Sequence, residues 1–443
     1  MNSKGMITQK MKNRIYAYLL IMSALLIAGS LISYSSGNIT LTSILLIPGF
    51  VALATGVRGY PKVKGLSYTL WIFTAVVVSL FYPQYLTSVG NFKLSRLITP
   101  LLQLIMFGMG SQMSFNDFAG IIRMPKGVII GVISQFTLMP LIALGIAAIF
   151  SFPPEIAAGI ILIGCVPSGL ASNVMSFLAR ANVPLAVTLA AVTTLLSPFI
   201  TPFLMENLAG QFIEVDFWSM MLDILKMIIL PIVAGFIFNL FLKREAGTKS
   251  KFIQLVSYPF IMILTGLVFV RAKDATMAQF LVQFAKMMAV FYFLPMAGGV
   301  MFLRAFGSDG KLMEKILSLI SMVGIALIVT VITASGRDSL LTVGPLLVVT
   351  SILHNLSGYT LGYTLAWLFR MPEKDRRTIA FEVGMQNGGL ASGLANQMGK
   401  LATVGLAPAI FGPLMNITGS VLANWWRGKP VKDESSPESE TRS

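Results

Sequence analysis

Apolar stretches of roughly twenty residues recur along the chain, separated by short polar turns and showing no strict alternation. A helix needs about 20 mainly apolar residues to cross the hydrocarbon core of a bilayer, and the pattern predicts fourteen such windows. They begin near residues 15, 40, 66, 98, 127, 155, 183, 217, 253, 277, 313, 342, 376 and 401. Runs that are continuous, not alternating in short segments, exclude a membrane β-barrel. The expected fold is an all-α polytopic membrane protein.

Comparing the chain with itself divides those windows in two. PSGLAS at 167–172 lines up with NGGLAS at 387–392, and the same offset of 220 pairs Gly164 with Gly384 and Gln135 with Asn355. Seven windows precede residue 210 or so and seven follow. Seven is odd, so the second copy must enter the membrane from the opposite side. Inverted repeats of this kind recur in secondary transporters, whose broken helices meet near the bilayer midplane. The alternative is two unrelated bundles with similar Gly-rich helices.

The expected divisions follow from this. Residues 1–97 carry the N-terminal membrane helices, and 98–210 the core of the first repeat with a broken, crossing helix at 166–173. Residues 211–312 open the second repeat, 313–426 form its core with the other broken helix at 382–392, and 427–443 are a solvated cytoplasmic tail. The first window follows a basic start and is read as a membrane helix, being long for the apolar core of a cleaved leader.

Composition supports the membrane reading and charge orients it. The mean hydropathy of +0.79, with 55% apolar and 12% charged residues, excludes a soluble globular domain. The net charge of +15 would suggest nucleic acid in a soluble protein, so its distribution decides. With both termini cytoplasmic, 25 of the 33 Lys and Arg fall in cytoplasmic segments, six fall outside, and Lys226 and Lys286 lie within spans. That is the positive-inside bias of a multi-pass protein of the cell (inner or plasma) membrane, with lipid and not nucleic acid as its surroundings. The single cysteine, Cys165, permits no intrachain disulfide, and no paired Cys/His spacing suggests a metal centre.

One stretch contradicts its apolar setting. FEVGMQNGGLAS at 381–392 puts Glu382, two carboxamides and a glycine pair inside a span. An ionisable group at depth is a functional candidate unless it pairs structurally, and Lys286 is the available basic partner. Glycines lower the cost of unwinding, and an unwound backbone exposes carbonyls on one side and amides on the other. Carbonyls, a carboxylate and carboxamide oxygens suit a hard monovalent cation; amides at the start of the next half-helix suit an anion. In the matching stretch Pro167 breaks the helix, and Ser172 and Asn173 supply further oxygens. Close helix packing through small residues is the competing explanation.

Through GVISQFTLMPL, VPSGLASNVMSFLARANVPLAV, TLLSPFITP, ILHNLSGYTLGY, FEVGMQNGGLA and NITGSVLA, the chain resembles the bile acid:sodium symporter family, which moves organic anions together with Na⁺. The resemblance implies two Na⁺ sites beside a crossing of two broken helices. One would use the side chains of Gln135, Glu382 and Gln386 and the carbonyls of Val383 and Met385. The other would use Ser172, Asn173 and Glu382 with two hydroxyls on the next helix, where this chain has Ala186 and Ala190; Thr188, Thr193 and Thr194 are nearby. One Na⁺ is therefore expected, and the second site is in question. Asn387 and Asn416 would face the substrate, with backbone amides from Ser168 and Gly169. Leu170 and Met415 stand where family members often have polar groups, which suggests an apolar pocket for a larger hydrophobic body. His354, in ILHNLSGY, is expected to be a packed hydrogen-bonding residue. The family plan has ten helices, so four would be extra here, enlarging the mobile or dimer-facing panel; a homodimer is compatible with that.

The expected function is Na⁺-coupled symport of an organic anion, bile-acid-like or a small carboxylate, by alternating access. A Na⁺/H⁺ antiporter is the alternative, though Glu382 has no acidic neighbour in sequence to share a proton with. An enzyme is not expected: there is no HExxH, no GxSxG and no paired intramembrane acid. A sensor built on a transporter fold stays open, although no appended signalling domain is visible in the sequence.

Overall fold

The computed structural model of the protein describes residues 3–60, 63, 65–113, 120–242, 259, 262–263, 265–267, 276–307, 310–429 and 431. Helices dominate: α1 Ser3–Ser35, α2 Ile39–Gly56, α3 Leu66–Phe81, α4 Ile98–Gln112, α5 Pro125–Ile149, α6 Pro154–Cys165, α7 Ala171–Leu178 and α8 Val183–Ala209. They continue with α9 Phe217–Leu242 and α10 Met277–Phe306, then α11 Gly310–Ser335, α12 Arg337–Leu368, α13 Glu373–Gly384, α14 Gly388–Gln397 and α15 Leu406–Arg427. A two-residue hairpin, Ser88–Val89 with Phe92–Lys93, sits in the turn before α4.

Among the described residues ten helices are long and apolar enough to cross a membrane, and α3 and α6 are shorter apolar helices. The windows expected near 155 and 376 are each met by two short helices, α6 with α7 and α13 with α14. The window expected near 253 lies largely outside the described residues, as does most of the tail beyond residue 429.

Local chemistry explains the starts and the irregularities. Asn38, Asn182 and Asp216 cap α2, α8 and α9 through their side chains, and Thr276 with Gln279 forms a capping box on α10. Helices α9 and α10 each contain a five-residue π turn, Leu225–Ile229 and Ala289–Phe293, ending two residues before Pro231 and Pro295. A proline ring clashes with the carbonyl four residues back and supplies no N–H, and the wider π turn accommodates both defects.

The helices sort into two bodies. Helices α5, α6, α7, α8, α12, α13, α14 and α15 pack on one another as a core, and α3, α4, α9, α10 and α11 form a panel against it, with α2 on α3 and α1 on α2. In the panel, α4 and α9 touch backbone to backbone: a Cβ on Gly110 would lie 2.0 Å from the Ile232 carbonyl oxygen. Only glycine permits that approach.

Within the core, corresponding turns recur. The chain is left-handed at Ser151 (φ 47) and Arg370 (φ 54), before α6 and α13, and at Arg180 (φ 55) and Gly399 (φ 68), after α7 and α14. Each pair is 219 positions apart. Helices α6 and α13 are both twelve residues long, and both open on a Pro-Glu step, Pro154-Glu155 and Pro372-Glu373. Those two acids bracket opposite ends of the core. Glu155 pairs with Lys400, just beyond α14. Glu373 pairs with Arg377 at 2.8 Å, and Arg377 also donates to the carbonyls of Ala179 (3.2 Å), just beyond α7, and of Trp426 (3.2 Å) and Lys429 (2.9 Å).

The breaks are narrower than the sequence suggested. The chain leaves helical conformation over 166–170 and 385–387 only, so Ser172 and Asn173 lie in α7, and Glu382 is still in α13. The Asn387 side chain accepts from Leu390 N at 3.0 Å, which lets α14 restart at once despite the glycine pair. A buried amide without a partner is costly, so each half-helix keeps every internal bond it can.

Candidate functional site

The two breaks lie against each other as a one-residue antiparallel bridge between Ser168 and Gln386. Gly169 N donates to Met385 O at 2.8 Å and Asn387 N donates to Pro167 O at 2.9 Å. Contact is so close that a Cβ on Gly169 would sit 2.6 Å from the Gln386 carbonyl oxygen.

Side chains from the flanking helices hold the remaining freed carbonyls. Gln135, on α5, donates through Nε2 to Val166 O at 2.8 Å and to Gln386 Oε1 at 2.6 Å. Gln386 Nε2 turns back to Val383 O at 2.6 Å. Asn355, on α12, donates to Gly384 O at 2.6 Å and itself accepts from the Thr418 hydroxyl. Thr201 donates to Cys165 O at 2.8 Å. Almost every backbone acceptor loosened by the breaks is thereby satisfied.

Glu382 is the exception. It is 2% exposed, and neither carboxylate oxygen has a hydrogen-bond partner. The hydroxyls of Ser172 and Ser168 lie alongside without donating to it in hydrogen-bond geometry; Ser172 donates to Gly169 O at 2.7 Å instead. The basic partner suggested by sequence is not there, since Lys286 is exposed on α10. An isolated carboxylate in such a place costs on the order of several kcal/mol unless a positive charge compensates it. The same two breaks carry further oxygens: Gln386 Oε1, the carbonyls of Val383 and Met385 with a second lone pair each, and, on α7, the buried Asn173 Oδ1, also without a partner. Such a set is chemically suited to a hard monovalent cation.

Of the three threonines that sequence left open on α8, Thr188, Thr193 and Thr194, one reaches Ser168 at the crossing. Thr193 Oγ1 lies 3.4 Å from Ser168 Oγ, on the helix face that Ala186 and Ala190 share at spacings of four and three residues. Its proton goes to Leu189 O at 2.8 Å. Thr194 donates to Ala190 O, and Thr188 faces Gly120 on the far side. Ala186 and Ala190 present methyl groups that are 0% and 2% exposed.

Beside the crossing a cleft with a volume of about 110 Å³ opens between core and panel. Core residues Asn387, Gly389 and Asn416 line one side, and Ile105 on α4 with Ile328 and Val329 on α11 line the other. Asn387 and Asn416 both line this cleft. Ser168 does not line the cleft, and the Gly169 amide is consumed by Met385 O. The amide that replaces them is Gly389 N: its neighbours Gly388, Leu390 and Ala391 all find acceptors, whereas it finds none among the described residues. The first turn of a helix always leaves such donors, but which one stays free depends on the cap and is invisible in sequence.

His354 is packed: Nε2 bonds Met139 O at 3.1 Å and the ring lies on Phe411. Arg377 was not singled out by sequence, because its partners are mainly carbonyls, which leave no residue signature.

Comparison with known proteins adds the following. The model of the sodium bile acid symporter family matches residues 99–279. An uncharacterized sodium-dependent transporter of Bacillus subtilis is 32% identical over 384 residues, covering 86% of this chain and 98% of that protein. A probable chloroplastic sodium/metabolite cotransporter of Arabidopsis thaliana is 26% identical over 366 residues, 83% of this chain and 74% of that protein. One from Oryza sativa subsp. japonica is 26% identical over 400 residues, 87% of this chain and 80% of that protein.

Proposed function

The chain belongs to the sodium bile acid symporter family, a family of sodium-dependent membrane transporters and not of enzymes, and from that premise we propose that it carries an organic anion into the cell in symport with Na⁺. The observation that carries this reading is Glu382, buried and unpaired at a break in the helix beside a cleft that holds unpaired donors.

Na⁺ binds between Glu382, Gln135 and Gln386, with the carbonyls of Val383 and Met385. Gln135 and Gln386 already grip each other across the break, so the ion completes a network that needs little rearrangement. The ion neutralises Glu382 and fixes the Gln386 backbone, and with it the adjacent Asn387 and the start of α14. Those groups, with Asn416, receive the anion. Without Na⁺ the anion site has an unbalanced negative charge beneath it, and coupling follows from that electrostatic penalty. One Na⁺ per anion is the stoichiometry proposed, because Ala186 and Ala190 offer no oxygens.

Alternating access is proposed as movement of the core against the panel. Glu155–Lys400 and the bonds from Arg377 to the carbonyls of Ala179 and Trp426 tie the half-helices at both ends of the core, so the cleft is proposed as the compliant surface. The repeated turns at Ser151, Arg370, Arg180 and Gly399 support an internal repeat in the core, which the proposal takes to be inverted with seven spans in each half. The Lys and Arg distribution supports cytoplasmic termini and a place in the cell membrane. Uptake of labelled carboxylates into proteoliposomes under an inward Na⁺ gradient, against an equal K⁺ gradient, tests the proposal. Na⁺-specific uptake is expected; a change in internal pH driven by Na⁺ without anion entry would replace symport with Na⁺/H⁺ exchange.

A further inference from the structure

The panel treats the two second half-helices, α7 and α14, differently. Helix α14 packs on α4, α9 and α11, whereas the helices packed on α7 are α8, α13 and α15 of the core. Where α14 meets the panel, a Cβ on Gly393 would lie 2.5 Å from Leu102 Cδ2, and Gln397 Nε2 donates to Thr99 Oγ1 at 3.0 Å. Leu390 and Leu394 are buried there. Their counterparts at the offset of 220 are not: Leu170 lines the cleft, Val174 is 55% exposed, and Phe177, the counterpart of Gln397, is 69% exposed. Spacings of four and seven residues put Val174 and Phe177 on the face that Leu170 turns to the cleft. This apolar stripe therefore looks across the cleft at the panel.

The panel has a correspondence of its own. Gly108 on α4 faces Leu317 and Ser321 on α11, and Gly324 on α11 faces Leu101 and Ile105 on α4. Gly108 and Gly324, Leu101 and Leu317, and Ile105 and Ser321 are each 216 positions apart, with the partners exchanged. Such an exchange is what a two-fold relation between two antiparallel helices produces. At the same offset the counterparts of Thr99 and Leu102 are Lys315 and Ser318, both exposed near the start of α11.

We infer that Leu170, Val174 and Phe177 form the inner gate of the transporter, which closes on α11 at Lys315 and Ser318 when the panel releases α14. The inference rests on the alternating access of the symport reading. Gly393 against Leu102 and Gln397 bonded to Thr99 shut the outer end of the cleft, while the end along α7, which the Lys and Arg distribution puts inside, stands open. In the opposite state Phe177 meets α11 as Gln397 now meets α4, with its ring against Lys315, whose stem and charge both suit an aromatic face. The two gates differ in chemistry. A hydrogen bond and a glycine contact close the outer one, and the inner one closes by burying apolar surface that the open state leaves in water.

The test reads the gate and not uptake. Purified protein in lipid nanodiscs carries Phe177→Cys, with the wild type, whose single cysteine Cys165 is buried, as the blank. A charged, water-soluble methanethiosulfonate should modify Phe177→Cys; a folded variant that resists it has its stripe in lipid, which overturns the gate. Gly393→Phe adds a ring for which the contact with Leu102 has no room, and should slow that modification about tenfold or more as the inner-open state loses population. An unchanged rate overturns the link between the two gates. A second pair, Phe177→Cys with Lys315→Cys, does not depend on Gly393→Phe folding. A short bifunctional thiosulfonate should join the two cysteines, and modification of each without joining overturns the contact with α11. Failure of the symport reading is seen separately: absence of Na⁺-driven uptake of every anion by the wild type removes symport, while labelling and joining decide the gate by themselves.

Discussion

Gln135 and Asn355, 220 positions apart, perform the same task at the two breaks: Gln135 Nε2 holds the carbonyl of Val166 at 2.8 Å and Asn355 Nδ2 holds that of Gly384 at 2.6 Å. Each is the carboxamide of a long core helix reaching the last turn of a first half-helix. The equivalence stops at the next bond. Gln135 continues to Gln386 Oε1, and Asn355 accepts from Thr418. The symmetric pair therefore has one member at the proposed cation and one that only supports the backbone.

That asymmetry is measurable. Gln135→Ala should raise the Na⁺ concentration for half-maximal uptake about 10- to 100-fold, the usual effect of losing a group that holds or orients a ligand to an ion. Asn355→Ala should lower thermal stability with a smaller change in Na⁺ requirement. Uptake titrated with Na⁺ at constant ionic strength checks both, and equal shifts in the two variants would contradict the assignment of Gln135.

Glu382→Gln removes a buried charge that has no partner in the protein. In K⁺ buffer the variant should melt above the wild type, because neutral Gln at a 2% exposed position escapes the desolvation that Glu382 bears. In Na⁺ the order should reverse. A ligand present at 100 times its Kd stabilises by about 2.7 kcal/mol, and the variant should lose that increment together with Na⁺-stimulated uptake. Melting curves in the two salts separate this from simple misfolding. A Na⁺-dependent rise in melting temperature that persists in Glu382→Gln would remove the residue from the site.

Much of this site could be read from sequence because breaks are local. Pro167, Gly169 and the Gly388-Gly389 pair announce a break, and an acid inside an apolar window announces a site. Residues whose role depends on a distant partner were harder. The Gly169 amide looked free until the opposing break, with Met385 O, was placed on it. Among Thr188, Thr193 and Thr194, helix rotation alone decides which faces Ser168, and spacing could not choose. The helices restarted sooner than the glycines suggested because Asn387 caps α14, a tertiary economy in buried amides. Arg377 escaped notice because a charged residue near a helix start ordinarily belongs to the solvated surface.

Restoring oxygens at the empty face of α8 addresses stoichiometry. Ala186→Ser with Ala190→Thr puts two hydroxyls on the buried face of α8, which packs on α7, where Asn173 Oδ1 is an acceptor now buried without a partner. The Na⁺ dependence of uptake, expected with a Hill coefficient near one in the wild type, should steepen toward two in the double variant. An already steep wild-type curve would show that Thr193, whose hydroxyl lies beside Ser168 at the crossing, completes a second site by itself.

Arg377 tests whether the core moves as one piece. Its side chain is 5% exposed, it joins Glu373, the end of α7 and the end of α15, and its guanidinium lies 5.6 Å from the Trp426 ring centroid. Arg377→Ala removes a donor from three carbonyls and the closest cation from Glu373, which keeps the Tyr363 hydroxyl at 2.6 Å. Breaking a fully buried pair costs 3–5 kcal/mol, and because Glu373 remains 27% exposed the loss here should be about 2–3 kcal/mol, read as a lower melting temperature. Arg377→Lys keeps the charge but cannot reach several acceptors from one planar group, so it should recover only part of the stability. The functional consequence separates a bracket from a binding group. If Arg377 only ties the half-helices together, the surviving folded fraction of either variant should keep the wild-type Na⁺ and substrate requirements and lose transport rate. A shift in Na⁺ requirement without a loss of stability would instead connect Arg377 to the ion, through the roughly one and a half turns of α13 that separate it from Glu382.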